Sequence, residues 1–334
     1  MGKLPNKELE KLLACVKKDP RIIVPPMPGY DSGVHLIDDE TCLVVSTDPC
    51  INVDPKWFGW LLIHYAASDV ALFGAQPQFC AINLLGPSSM KRETLLNIMK
   101  DACGAANEIG VSIVTGHTGT YRGLTTAVGV STAYGTTARK KLITPGNAET
   151  EDCILCVKPI GLETVINFCL ANKTTATSLL GPRRVREMER LVPLESCVRE
   201  ALLLADVAGV HAMHDATEGG LTAALNEMAE ASKLGFEVNF EKLHFADDMR
   251  KIKALFELSN EEMMSTSSTG TFLAAVDPNS ERKAVSVLHE IGIETSVIGT
   301  FTKEQRPVLV RNGKRTSFPK KSNDPYERIL SGKV

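Results

Sequence analysis

The chain has 334 residues, 43% apolar and 23% charged, which is the balance of a soluble globular protein. That length favours two cores, and the composition excludes a disordered tail, a collagen-like repeat and a disulfide-dense miniprotein. A formal net charge of −3 supplies no global basic field for nucleic acid or anionic lipid, so neither partner is expected.

The first thirty residues lack the apolar core of a signal peptide, and Asn6 stands where myristoylation prefers Ser or Thr. No uninterrupted apolar run reaches the roughly 18 residues of a membrane span. A cytoplasmic protein without a membrane anchor is therefore expected. Nine cysteines, an odd number, argue for reduced thiols. The close pair Cys153 and Cys156 falls on a strand pattern, where residues three apart point to opposite faces. Small core residues are expected there, not a metal or redox pair.

In chain order, a short charged helix is expected over residues 8–18, with Cys15 on its face, followed by Ile22-Ile23-Val24 and a Pro-rich stretch to Gly29. Residues 42–47 read as a strand ending at Asp48. Residues 57–73 read as a helix stopped by Gly74 and Pro77, and 79–85 as a strand. An amphipathic helix over 93–109 closes at Gly110. A short strand at 111–114 then leads into the turn Thr115-Gly116-His117-Thr118-Gly119, and 124–134 is a further strand. Residues 136–152 form the domain boundary, giving an N-terminal domain over 1–138 and a C-terminal one over 150–320.

The second half repeats the mixture. A strand at Ile154 precedes a helix from Leu162, and a long helical stretch over 183–207 is broken at Pro193. A helix over 221–232 opens directly after Gly219-Gly220. Helices near 247–258 and 281–291 alternate with strands at 271–276 and near Ser296 and Val308. Interleaved strands and helices in both halves give an α+β or α/β class with two sheets.

No phosphate-binding P-loop, dinucleotide-binding glycine fingerprint, zincin helix, nucleophile elbow or kinase signature is present. The informative residues are acids in unusual places. Asp69 lies inside the apolar helix pattern and is costly to bury alone. Asp48 ends an apolar strand, Asp31 follows Pro28-Gly29, and Asp215 precedes the Gly219-Gly220 turn, whose backbone N–H groups could cradle an anion. Taken singly, each acid is as well explained as a buried hydrogen-bonded group, a turn residue or part of a helix start.

Read together, Asp31-Ser32-Gly33-Val34, Ser46-Thr47-Asp48, Ser68-Asp69-Val70-Ala71 with Gly74-Ala75-Gln76-Pro77, Thr115-Gly116-His117-Thr118 and His214-Asp215-Ala216-Thr217-Glu218-Gly219-Gly220 form an ordered series. That series resembles the PurM-like, aminoimidazole ribonucleotide (AIR) synthase-related superfamily. It includes thiamine-monophosphate kinase, selenophosphate synthetase and the hydrogenase-maturation factor HypE, and the likeness is nearest to HypE. The resemblance implies an α+β, PurM-like two-domain fold. Its N-terminal domain forms a β-barrel across a homodimer, its C-terminal domain is α/β, and ATP lies between the domains. It implies Mg²⁺ held by Asp31, Asp48 and Asp69. Thr47, Thr115, Gly116, His117, Thr217, Gly219 and Gly220 would contact nucleotide, and Asp215 would be catalytic. Two carboxylates about 4 Å apart repel by roughly 4 kcal/mol at an effective dielectric near 20, so converging acids call for a cation.

The departures matter. Tyr30 stands where the family carries the first Asp of Gly-Asp-Asp, and His117 where HypE carries Asp. Glu218 replaces an Arg, Ser268-Thr269-Gly270 replaces Asn-Glu-Gly, and the chain ends without the HypE cysteine. The expectation is therefore Mg²⁺-ATP-dependent phosphoryl transfer activating a small acceptor or a carboxamide on a partner, without the cysteine-tail route to cyanide. The alternatives are thiamine-phosphate or selenophosphate-type kinase chemistry, or a nucleotide-binding scaffold with weakened catalysis. A zinc role for His211 and His214, and base stacking on Trp57 and Trp60, are less economical than structural roles.

Overall fold

The computed structural model describes Leu4 and residues 6–332, so part of the chain start considered for myristoylation and the last two residues lie outside it. The chain divides into two compact units. The N-terminal unit comprises residues 15–26 and 31–142, and the C-terminal unit comprises, of the described residues, 143–332 with Leu4, 6–14 and 27–30. Helix α1 (Asn6–Leu13) belongs to the latter and ends earlier than the sequence suggests, leaving Cys15 exposed in a turn instead of on a helix face.

The N-terminal unit holds β1 (Ile22–Val24), β2 (Ser32–Leu36), β3 (Thr41–Ile51), α2 (Phe58–Leu72), β4 (Phe79–Pro87), α3 (Arg92–Glu108), β5 (Ser112–Tyr121) and β6 (Val128–Ala138). The sheet order is β1-β2-β3-β6-β4-β5, antiparallel except for the β4–β5 pair that α3 connects. Helix α2 is apolar on all sides and is buried except at Tyr65, as such a helix must be. Burial alternates strictly along β3, β4 and β6, so one face of the sheet is covered and the other open.

Three local expectations need correction. Strand β3 does not stop at Asp48 but runs to Ile51. The Thr115–Gly119 segment is not a turn, because β5 continues through it to Tyr121 in register with β4. Strand β6 begins at Val128 and extends to Ala138, into the segment read as the boundary.

The C-terminal unit holds β7 (Cys153–Val157), α4 (Leu162–Ala171), α5 (Lys173–Leu180), α6 (Pro182–Glu189), α7 (Val198–Ala205), β8 (Val210–Asp215), α8 (Gly220–Ser232), β9 (Gly235–Asn239), α9 (Met249–Leu255), α10 (Asn260–Met264), β10 (Phe272–Val276), α11 (Glu281–His289), β11 (Thr295–Thr302), β12 (Val308–Arg311), β13 (Lys314–Ser317) and α12 (Tyr326–Leu330). Its seven strands follow the order β13-β12-β9-β11-β7-β10-β8. Strand β10 is buried at every residue, which places it at the centre of the core with α8 and β7. A second cluster joins Val165, Phe168, Met188, Met249, Phe256 and Ile329 from the helices. The stretch over 183–207 is two helices separated by a 3₁₀ turn at Val192–Glu195, as Pro193 requires.

Candidate functional site

In the N-terminal unit the Ser46 hydroxyl links the backbone of Asp31 to the carboxylate of Asp69. Ser32 pairs with Ser46 across β2 and β3, which sets Asp31 beside the part of β3 that carries Asp48. The Ser46 Oγ lies 2.9 Å from the Asp31 carbonyl oxygen and 2.7 Å from Asp69 Oδ2. Its single proton goes to the carboxylate, the stronger acceptor. Asp69 is 3% exposed on α2, so Ser46 supplies part of what makes burial of that carboxylate tolerable. Asp48 is two residues beyond Ser46 and hence on the same helix-covered face of β3. Carboxylate, carbonyl and hydroxyl oxygens are the donors that a hard cation such as Mg²⁺ accepts, so this set fits that ion.

The other candidates of this unit lie elsewhere. Thr47 projects to the open face, where its Oγ1 accepts from Thr132 Oγ1 at 3.0 Å. Thr115 and His117 pair with Ala81 and Asn83 and share that open face, with His117 Nε2 against the Tyr121 hydroxyl. Gly116 is in the intervening position, where a Cβ would sit 2.3 Å from the Ile82 carbonyl oxygen, so close strand pairing explains this glycine. Thr47, Thr115 and His117 thus face away from the side of the sheet that Asp48 and Asp69 share.

In the C-terminal unit, β8 delivers His214 and Asp215 to the turn before α8. His214 Nδ1 is 3.1 Å from Asp215 Oδ1, and its Nε2 is 2.9 Å from Glu227 Oε2 on α8. The imidazole therefore holds the catalytic candidate in place. His211 instead faces Asp152 at 3.0 Å, so the two histidines do not converge on one metal.

Gly219 and Gly220 have φ of +81° and +55°, and the Gly220 position leaves only 2.4 Å between a Cβ and the Thr266 carbonyl oxygen. The anion cradle expected there already has an occupant. The Gly219 N–H donates to Asp324 Oδ2 at 2.9 Å, and Asp324 Oδ1 accepts from the Tyr326 N–H at 2.9 Å and the Ser267 N–H at 3.3 Å. Burial nevertheless pushes the Asp324 carboxyl up to about 6, against these three N–H groups. The Tyr30 phenol, raised by burial, hydrogen-bonds toward Thr144 and Gly146.

Sequence reasoning missed Ser46, Glu227 and Asp324 as functional partners. Ser46 opens the Ser46-Thr47-Asp48 motif, whereas Asp324 has no local signal. All nine cysteines are free, and burial raises Cys153 to about 11 and Cys156 to about 12, outside the redox-active range. Trp60 is buried, stacks on His64 at 3.8 Å and donates its indole N–H to Glu108, which is a packing role.

A two-domain mixed α/β chain with carboxylates placed around a strand end and a glycine turn is of the PurM-like class. The chain belongs to the AIR synthase related protein family, an enzyme family: the model of its N-terminal domain matches residues 29–137 and that of its C-terminal domain residues 149–312. Carbamoyl dehydratase HypE of Escherichia coli K12 is 26% identical over 279 residues, covering 81% of this chain and 79% of its own. The crystal structure of E. coli HypE superposes with a TM-score of 0.74 at 24% identity, over 86% of this chain and 88% of that one. Selenide, water dikinase of Pelobacter propionicus is 27% identical over 315 residues, 86% of this chain and 87% of its own. Hydrogenase maturation protein HypE in complex with ATP gives a TM-score of 0.72 at 20% identity, with coverage of 88% and 89%. Among the described residues, no helix is long and apolar enough to cross a membrane.

Proposed function

We propose that the protein catalyses Mg²⁺-dependent phosphoryl transfer from ATP, activating a small acceptor or a carboxamide on a partner protein. The observation that carries this reading is the Ser46 hydroxyl set between the Asp31 carbonyl and the Asp69 carboxylate, with Asp48 on the same face of β3. The ATP-bound HypE fold and the relatives named carbamoyl dehydratase and selenide, water dikinase support it. Asp31, Asp48 and Asp69 would hold Mg²⁺, which neutralises phosphate charge when bound. Asp215, oriented by His214, is assigned to turnover, and Thr217 and Gly220 to nucleotide, whereas Thr47, Thr115 and His117 lie on the open face and Gly116 and Gly219 are already engaged by Ile82 and Asp324. The open face of the N-terminal sheet is proposed as the homodimer surface.

The test is thermal stability with and without Mg²⁺-ATP, together with turnover on candidate acceptors. A ligand at about 100 times its Kd stabilises the native state by roughly 2.7 kcal/mol. Asp48→Asn and Asp69→Asn should each abolish most of that gain while leaving the ligand-free protein folded, since each removes an anionic ligand and a like-charge repulsion together. Asp215→Asn should lower turnover and keep binding. Full retention of Mg²⁺-ATP stabilisation in both Asp48→Asn and Asp69→Asn would sink the assignment.

A second reading, nucleotide binding with weakened catalysis, is favoured by Tyr30, whose phenol is turned toward Thr144 and Gly146, and by Asp324 on the Gly219 N–H. Its mark is stabilisation by ATP without turnover on any acceptor.

A further inference from the structure

Away from these acids, the interior of the C-terminal unit holds a second group of carboxyls. Glu195, in the 3₁₀ turn after α6, is 1% exposed, and neither of its carboxylate oxygens has a hydrogen-bond partner. The neighbouring buried cation does not serve it. Lys158 Nζ donates to the Leu194 carbonyl at 3.0 Å and to the Ser196 carbonyl, the two residues flanking Glu195, and pairs with Glu200 at 3.0 Å. An ammonium has three hydrogens, and these contacts use all of them.

Glu163, at the start of α4 and 6% exposed, carries a charge that acts on Glu195. Its Oε2 accepts from the Ser267 hydroxyl at 2.9 Å and the Thr269 N–H at 2.8 Å. The loop carrying those donors presses directly on Glu195: a Cβ on Gly270 would stand 2.6 Å from the Glu195 Cα. The Tyr326 hydroxyl completes the surroundings, bonding to Asn167 Nδ2 at 2.9 Å and to the Glu163 carboxylate. Asp324 adds a third acid within reach of Glu163.

Burying an ionised carboxylate without donors costs several kcal/mol even after relaxation. Two compensations exist, a proton or a cation. A proton on Glu195 removes the charge but creates an O–H that needs an acceptor of its own, and it leaves the other oxygen bare. A divalent ion satisfies both Glu195 oxygens and balances Glu195 and Glu163 together, with oxygen ligands of the hard type.

We propose that Glu195 and Glu163 form an interior binding site for a hard divalent cation in the C-terminal unit, occupied without nucleotide and independent of the phosphoryl-transfer reading above. Mn²⁺ alone is the probe, titrated into the nucleotide-free full chain with free Mn²⁺ read by electron paramagnetic resonance. Loss of even an outer-shell partner costs metal sites ~10–100-fold in affinity, so Glu195→Gln and Glu163→Gln should each weaken one class of Mn²⁺ sites by at least that factor. Asp48→Asn and Asp69→Asn should leave that class untouched, which separates failure of this site from failure of the proposed function. Equal Mn²⁺ binding in wild type and Glu195→Gln would overturn the proposal. Should either glutamine variant fail to fold, infrared spectroscopy of the wild type decides: a protonated-carboxyl band that persists at saturating Mn²⁺ means a shared proton and no cation site, and a band absent under Mn²⁺ supports the site.

Discussion

The two units use the same interleaved strands and helices but close their sheets differently. In the N-terminal unit only one face of the six-stranded sheet is covered, by α2 and α3, and Ile51, Phe79, Val114 and Tyr121 remain exposed. In the C-terminal unit β10 is buried at all five residues. Among the described residues, the exposed large apolar side chains of the C-terminal unit are Leu4 and Leu12 near the chain start, and none belongs to residues 143–332. The contrast separates two ways of handling polar groups. The closed unit buries Lys158, Glu163, Glu195 and Glu200 and must pair them internally, while the open unit leaves apolar surface for something else to cover.

The strongest way to break this comparison is to remove the ammonium from the closed unit. Lys158→Met leaves Glu200, 7% exposed, without its 3.0 Å partner and removes the donor to the Leu194 and Ser196 carbonyls. Breaking a buried pair from one side costs about 3–5 kcal/mol. Denaturant unfolding measures it, and a loss below about 1 kcal/mol would mean that water enters this core and the unit is not closed.

The next effect is a pH dependence. The Asp324 carboxyl is pushed from 3.8 to about 6, chiefly by burial. A carboxyl raised in the folded state binds more protons there than in the unfolded chain, so its contribution to stability falls as pH rises through that window. Asp324→Asn removes this titration. The stability of wild type relative to Asp324→Asn should therefore decline between about pH 4 and pH 7, by at most about 3 kcal/mol. Paired denaturation curves across that range provide the check, and a flat difference would place Asp324 in water instead of against the Gly219, Ser267 and Tyr326 amides.

What was legible beforehand follows the same division. The acid in α2 was readable because Asp69 interrupts an otherwise apolar helix, and the glycine turn because Gly219-Gly220 directly precedes a helical pattern. Strand β3 runs past Asp48 and through Pro49, although proline ordinarily ends a central strand. The structure shows why it is tolerated: β2 pairs with β3 only as far as Ser46, so beyond that point β3 is an edge on that side. Strand β2 itself, Ser32-Gly33-Val34-His35-Leu36, carries one β-branched residue and gave no signal. The interior carboxyl group was invisible for a different reason. Its members sit at positions 163, 195 and 324, and only folding brings them together.

The smallest expected change in stability, and the one that sharpens the comparison most, concerns the open face. Ile51 on β3 and Phe79 on β4 are 46% and 40% exposed, and alternation places both on the side away from α2. Phe79 already packs on Tyr134 of β6 at 5.7 Å, so the patch is an ordered surface and not a lone apolar residue. A lysine at either position can send its ammonium to solvent while its stem covers the neighbouring rings. Ile51→Lys and Phe79→Lys should therefore shift monomer stability by no more than about 0.5 kcal/mol. The same charge set between two sheets packed face to face would be desolvated without a partner, and association would fail. Light scattering at micromolar protein should then show a dimer for the wild type and a monomer for both variants. A wild-type monomer would leave the apolar face unexplained by self-association, and a variant that stays dimeric would move the interface elsewhere on the chain.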